Sequence, residues 1–367
     1  MNLRVPGPTP CPPEVLDALS RPMINHRGPE FAALLKRATE GVKPAFGTTG
    51  DVVILTSSGT GALEAAITNT LSPADEVLSL SIGYFGDRFA QIAENFGAKV
   101  TRLTVEPGHA AGPEDLRTAL RDHGGVKAVL LTHNETSTGV TNDLQALAAE
   151  VREAGPLLLV DAISSLSSIP VRMDDWGLDL VLSGSQKGWM VPPGLAFVAV
   201  SERAWQAARS ARMPRYYFDL RKAKESADKG QTPATPSVSL FFAMDVALDL
   251  LEREGWPAVY DRHRRVAAHL RSGLIDLGLQ LFADQAYASN TVTTVRVPDG
   301  IDASALIRAL REQHGIVIAG GQGALTGKIL RIGHLGYVEA SDMSEVLEAL
   351  RTELPRLAHP AAAAVAG

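Results

Sequence analysis

Three polar clusters in this 367-residue chain carry residue types able to do chemistry, and each follows a short apolar run. The first is Ser57-Ser58-Gly59-Thr60-Gly61, ahead of a helical pattern. Glycines let a backbone approach a ligand closely, and a helix start offers unpaired N–H groups at the positive end of its dipole. Such a turn can hold a phosphate, although alone it is more often an ordinary helix cap. It is not a dinucleotide fingerprint, because Glu64 stands where the third glycine of G-x-G-x-x-G belongs. The second cluster is Asp161, which ends PLLLVD (156–161). An acid closing a buried strand is costly without a partner, whether an N-cap, a salt bridge or a protonated ring nitrogen. The third is Ser183-Gly184-Ser185-Gln186-Lys187-Gly188 after LDLVL. Its lysine reads as a surface charge, a phosphate contact or a covalent amine, since burial lowers a lysine pKa and frees a nucleophile.

Each cluster is weak alone, and together they match three needs of pyridoxal 5′-phosphate (PLP). Its phosphate must be neutralised, its pyridinium N–H needs an acid, and its aldehyde needs an amine.

The elements that must position these clusters alternate strand and helix. DVVIL (51–55), EVLSLS (76–81), AKVTRLTV (98–105), KAVLLTH (127–133), PLLLVD (156–161), LDLVLSGS (178–185) and LAFVAV (195–200) are mostly near-continuous apolar runs. That is the pattern of strands buried on both faces of a parallel sheet. Helical patterns lie between them at 61–71, 86–97 and 143–155, the last two ending at a glycine that can cap the helix. The alternation predicts a doubly wound α/β domain, whose ligands bind beyond the carboxyl ends of the strands. A second region holds a helix over 262–278, the alternating run TVTTVRVP (291–298), a helix over 303–315, IVIAG (316–320), KILRIGH (328–334) and a last helix near 341–353. It reads as a small α+β domain whose strands show one polar face.

From Val52 to Lys187 the chain resembles the class V aminotransferases of the fold-type-I PLP enzymes, above all the alanine–glyoxylate and serine–glyoxylate aminotransferases. The matching segments are TSSGTGALEAA (56–66), GYFGDRF (83–89), LTHNETSTGV (131–140), VDAISSL (160–166), SGSQKG (183–188), TPATPSVSL (232–240) and LRIGHLG (330–336). The resemblance implies a large domain with a mostly parallel seven-stranded sheet and a smaller C-terminal α+β domain. The expected division is an arm over 1–15, a PLP-binding domain over 16–255, a small domain over 256–357 and a disordered Ala-rich tail over 358–367. VPGPTP (5–10) matches a family arm that closes over the active site.

The resemblance also implies roles. Lys187 is the lysine that carries the cofactor and shuttles a proton, and Asp161 pairs with the pyridinium nitrogen. Ser58, Gly59, Thr60 and the Gln186 side chain hold the phosphate. Phe85 stacks on the ring where relatives often carry Trp, and Thr136 bonds the phenolic oxygen. Thr232 and Thr235 reach the phosphate from a neighbouring subunit in a homodimer, although a tyrosine often stands at the position of Thr232. Arg331 binds the substrate α-carboxylate with its planar fork. The implied reaction moves an amino group from alanine or serine to a 2-oxo acid, glyoxylate foremost. Ureidoglycine–glyoxylate and aminoethylphosphonate–pyruvate transamination remain open, as does a non-catalytic PLP-binding protein.

Other signals carry less. Gly321–Lys328 lacks the spacing of a phosphate loop and reads as a mobile glycine-rich loop leading to Arg331. Asn134-Glu135-Thr136 is formally a glycosylation sequon, inside a candidate active site. Arg262-His263-Arg264-Arg265 reads as a solvated helix face. The nine histidines show no ligand spacing, so no metal is expected. A net charge of −6 is no footprint for nucleic acid. Cys11 is the one cysteine, which fits a reducing, cytoplasmic setting. Neither a signal peptide nor a membrane span is expected.

Overall fold

The computed structural model describes residues 1–358; the expected disordered tail lies, past Ala358, outside the described residues. Seven strands form the main sheet: β1 (Asp51–Ser57), β2 (Glu76–Ser81), β3 (Lys99–Thr104), β4 (Ala128–Thr132), β5 (Leu157–Asp161), β6 (Leu180–Gly184) and β7 (Gly194–Val200). Their spatial order is β1-β7-β6-β5-β4-β2-β3, and only β7 runs antiparallel to its neighbours. The fold is mixed α/β with a large, mostly parallel central sheet, as the apolar runs implied.

Side-chain alternation sorts each strand between two cores. Val52, Ile54, Leu158 and Val160 face one, where α1 (Pro29–Phe46) and α4 (Val238–Glu254) bring Phe31, Leu35, Phe241 and Leu248. Val53, Leu55, Leu157 and Leu159 face the other, packed by Leu63 and Ile67 of α2 (Gly59–Thr70) and Phe89 of α3 (Tyr84–Asn95). β3 departs from the expected two-sided burial. It is the sheet edge, paired only with β2, and it exposes most of its residues.

A third core gathers α5 (Trp256–Asp276), α6 (Ala303–His314) and α7 (Ala340–Ala358) on a small antiparallel sheet. Its strands β8 (Val292–Arg296), β9 (Ala319–Gly320) and β10 (Ile329–Gly333) lie in the order β8-β10-β9. α5 starts six residues before the expected 262, because Gly255 at φ +83° turns the chain and Pro257 suits the first helical turn.

The alternation in β8 predicted a face turned to water. Thr293 and Thr294 are buried instead. Thr294 Oγ1 donates to the Thr138 carbonyl at 2.8 Å, and Thr293 Oγ1 pairs with His334 Nε2 at 2.8 Å. Thr293, on the opposite face of this sheet, is covered by His334, and the Thr294 face therefore lies on the turn that follows β4. The approach needs a glycine: Gly139 has φ +75°, and a Cβ there would sit 2.6 Å from Thr294 Oγ1.

Leu159 is fully buried in the middle of β5. Leu159→Ala should cost about 2–5 kcal/mol, read in denaturant unfolding as a lower midpoint at unchanged slope.

Candidate active site

Asp161 and Lys187 stand at the carboxyl ends of neighbouring strands. Asp161 lies opposite Thr132 of β4 and Leu182 of β6, so β4, β5 and β6 end side by side. Lys187 follows β6 by three residues, in a turn held by Ser185, whose N–H donates to the Leu195 carbonyl and whose hydroxyl donates to that of Pro192. A cavity of about 120 Å³ opens between these strand ends and the start of α2. It collects Ser58, Gly59, Thr60, Phe85, Thr136, Asp161, Gln186 and Lys187, eight positions singled out from the sequence.

The start of α2 is built for an anion. Its cap residue, Ser58, uses no side-chain cap, so the first N–H groups are not taken up by its hydroxyl. Gly59 lies against Ile163, whose Cδ1 would be 2.6 Å from an added Cβ. Gln186 Oε1 is buried in this wall without a hydrogen-bond partner. An orphaned buried acceptor calls for a group that is not part of the chain.

Burial dominates the two ionisable groups. It pushes the Asp161 carboxyl up to about 7, against the opposing pull of the Ile163 N–H and of the Lys187 and Arg88 charges. It pushes the Lys187 amine down to about 8, partly offset by Asp161, with Arg331 and Arg88 adding to the fall. Lys187 Nζ donates to the Pro6 carbonyl at 2.6 Å.

Arg331, in β10, is nearly buried and lies outside the cavity lining. Its Nε donates to the Gly320 carbonyl at 2.7 Å and its Nη1 to Gln322 Oε1 at 3.0 Å. Gly321–Lys328, read as mobile, contains a 3-10 turn at Gly323–Leu325 and supplies that contact. No described carboxylate forms a salt bridge with Arg331, and desolvation lowers its pKa. A buried guanidinium with only neutral partners is poised for an incoming carboxylate. Thr232 and Thr235 are also away from the cavity. The Thr232 hydroxyl is spent on the Ala234 carbonyl at 2.8 Å, and Thr235 is exposed.

Three site residues escaped the sequence reading. Arg88 lines the cavity and stacks over Phe85, its guanidinium carbon 4.9 Å from the ring centre. Helical spacing carries the signal, since Arg88 lies three residues after Phe85 on one face of α3. Glu135 is fully buried and caps α3 from outside: its carboxylate accepts from the Phe85 and Gly86 N–H groups at 3.0 and 3.1 Å, and from the Ser137 N–H and hydroxyl. Burial raises its pKa, and these four donors oppose the rise. Asn134 donates to Ser164 and Thr291 and accepts from Thr141 and Ser289, tying the strand ends to the chain entering β8. Its side chain is 3% exposed, which takes the sequon out of consideration.

Comparisons with known proteins agree with this geometry. The profile described as "Aminotransferase class-V" matches residues 1–344. A chain of Synechococcus sp. (strain PCC 6716) called soluble hydrogenase, small subunit, is 42% identical over 97% of this chain and 94% of its own. The L-aspartate–glyoxylate aminotransferase of Paracoccus denitrificans is 39% identical over 90% of this chain and 85% of its own. The crystal structure of alanine–glyoxylate aminotransferase from Nostoc sp. superposes with a TM-score of 0.93 at 34% identity, covering 96% of this chain and 94% of that one. The amine, the acid, the open helix start and the Gln186 amide, turned so that its Nε2 donates, fit pyridoxal 5′-phosphate. With the fold and these likenesses in hand, the chain belongs to the class V aminotransferases and is a PLP-dependent transaminase.

Proposed function

We propose that this transaminase moves the amino group of a small amino acid, alanine or serine, to glyoxylate. The convergence of Lys187, Asp161 and the start of α2 on one cavity carries the reading of the site. The substrate choice is supported by relatives named for glyoxylate, including serine–glyoxylate aminotransferase of Methylorubrum extorquens at 36% identity.

When bound, PLP supplies an electron-withdrawing ring that takes up charge from the substrate α-carbon. In this reading Lys187 holds the cofactor by its amine. Lys187 would also move the proton at the substrate α-carbon, and an amine pKa of about 8 would let it both take and return a proton near neutrality. Asp161 keeps the ring nitrogen protonated, and the Arg88 charge favours the carboxylate form it needs. Ser58, Gly59, Thr60 and Gln186 hold the phosphate, Phe85 covers the ring, and Thr136 bonds the phenolic oxygen. Arg331 would hold the α-carboxylate, offering the Nη2 that its bonds to Gly320 and Gln322 leave free.

A homodimer is proposed as well, in which Thr232 and Thr235 reach the neighbouring phosphate; both stand away from their own cavity. An arm over 1–15, a large domain over 16–255 and a small one over 256–357 are proposed as well; the third core, all within 266–357, supports the small domain, while Val15, Val259 and Ala283 join the first core. No described helix is long and apolar enough to cross a membrane. A cytoplasmic setting is proposed on the lone Cys11.

Three outcomes test this. The holoenzyme should absorb visible light and lose that band with alanine or serine. A steady-state screen of alanine, serine and aspartate against glyoxylate and pyruvate should show turnover with a glyoxylate pair; none at all would sink the substrate assignment. Lys187→Ala should bind PLP without the visible band and lose about 10²–10⁴-fold or more in turnover. The pH dependence follows from the amine. Its pKa lies below the ordinary 10.5, so the neutral, nucleophilic form appears at lower pH than for an exposed lysine. Uptake of PLP by the cofactor-free protein should therefore accelerate with pH up to about 8 and then level off, and a rise persisting past pH 10 would contradict the burial argument.

A further inference from the structure

The first nine residues are stitched to both halves of the site. Asn2–Leu3 pairs in parallel with Ile316–Val317, and the Arg4 N–H donates to the Val317 carbonyl at 2.7 Å. Arg4 is buried and bridges to Asp342 at 2.7 Å. Its carbonyl accepts from the Gly333 N–H at 2.7 Å, two residues beyond Arg331 on the same strand. At the other end the Thr9 N–H donates to the Gln186 carbonyl and its hydroxyl to the Lys187 carbonyl, both at 3.0 Å. Between these anchors lies Pro6, whose carbonyl receives the Lys187 amine at 2.6 Å. Gly7 has φ +136°, a region open to glycine, and a Cβ there would fall on the end of the Lys187 side chain, 2.8 Å from both Cδ and Cε.

We propose that the Pro6 carbonyl is a positioning group for Lys187, delivered within the same chain by the N-terminal segment, and that Gly7 keeps the space in which the amine meets it. The inference rests on the reading that Lys187 carries the cofactor. Fastening on both sides keeps the acceptor from drifting: Arg4 fixes the segment to the Arg331 strand, and Thr9 fixes it to the Lys187 turn. Among the described residues the amine makes this one hydrogen bond. A lysine carries four rotatable bonds, so a fixed acceptor removes much of the search its amine makes before it attacks a carbonyl. The carbonyl accepts a hydrogen bond from the neutral amine and leaves the nitrogen lone pair free, so it orients without blocking. The same acceptor would hold the amine whenever it is not bonded to the cofactor, near the place where it moves a proton. A side chain at position 7 would push the amine off the carbonyl while leaving Asp161, Gln186 and the start of α2 in place.

The test uses cofactor-free full-length protein and two ligands: PLP, and a PLP analogue that keeps the phosphate and ring but lacks the aldehyde. Gly7→Ala should bind the analogue within about twofold of the unmodified protein and develop the visible band with PLP at least tenfold more slowly, in line with the cost of a roughly 1 Å misplacement. The primary deuterium isotope effect on turnover with α-deuterated alanine should rise in this variant, with the KM for alanine little changed. Unaltered band formation and isotope effect would overturn the proposal, and so would equal losses for analogue and PLP, which mark a general disturbance of the site. Should Gly7→Ala fail to fold, a chain lacking residues 1–8 answers the same question by the same ratio of analogue affinity to capture rate. If the unmodified protein forms no band with PLP, the reading of Lys187 itself fails, a result separate from any difference between the variants.

Discussion

The architecture depends on keeping an amine and a carboxyl group out of water beside the same small cavity. Transfer of either charge from water is unfavourable, and each responds by shifting its pKa toward the neutral form, Lys187 downward and Asp161 upward. Both groups hang from strand ends because a parallel sheet brings successive carboxyl ends to one edge. Both have a directed partner in the protein itself: the Ile163 N–H for Asp161 and the Pro6 carbonyl for Lys187. The Gln186 side-chain oxygen, on the same cavity, has none.

Around this pair the protein invests in rigidity. The β4–β5–β6 strands are buried on both faces, so their ends have little freedom to shift. The loop after β4 is held from three directions. Glu135 grips the start of α3, Asn134 grips Ser164 and Thr291, and Thr294 caps the Thr138 carbonyl. Thr136 and Phe85 are thereby placed on the cavity by Asn134, which lines it with them, and by Glu135 and Thr294 from outside its lining. The small antiparallel sheet joins the same network through its Thr294 face and brings Arg331 to the rim. A substrate carboxylate at Arg331 would thus be registered by the strand that also carries Gly333 and, through it, the N-terminal segment.

Electrostatics and positioning point the same way. Arg88, Arg331 and Lys187 are three positive groups near one cavity, against Asp161 and the capped Glu135. Anionic ligands, a phosphate and a carboxylate, complete that balance. Burial disfavours the ammonium form of Lys187, the form unable to attack an aldehyde, and Arg331 and Arg88 add to this against the pull of Asp161.

The strand-ending clusters, the two-sided burial of most strands and the order of the elements were all legible in the sequence, because local apolar runs and turn residues are local facts. So was the set of eight residues around the cavity, once family likeness joined three weak signals. Long-range partners were not legible. The exposed edge at β3 follows from strand order, which no run of six residues encodes. The polar face of β8 looked solvated, because alternation tells two faces apart without saying what covers each. Glu135 looked like part of an incidental sequon, and its meaning came from a helix start some fifty residues earlier in the chain. The Pro6 carbonyl carries no side-chain signature at all, and only the tertiary structure brings it within 2.6 Å of a lysine 181 residues away. Residue chemistry determined which groups this protein has to work with; closure of the chain upon itself decided which of them meet.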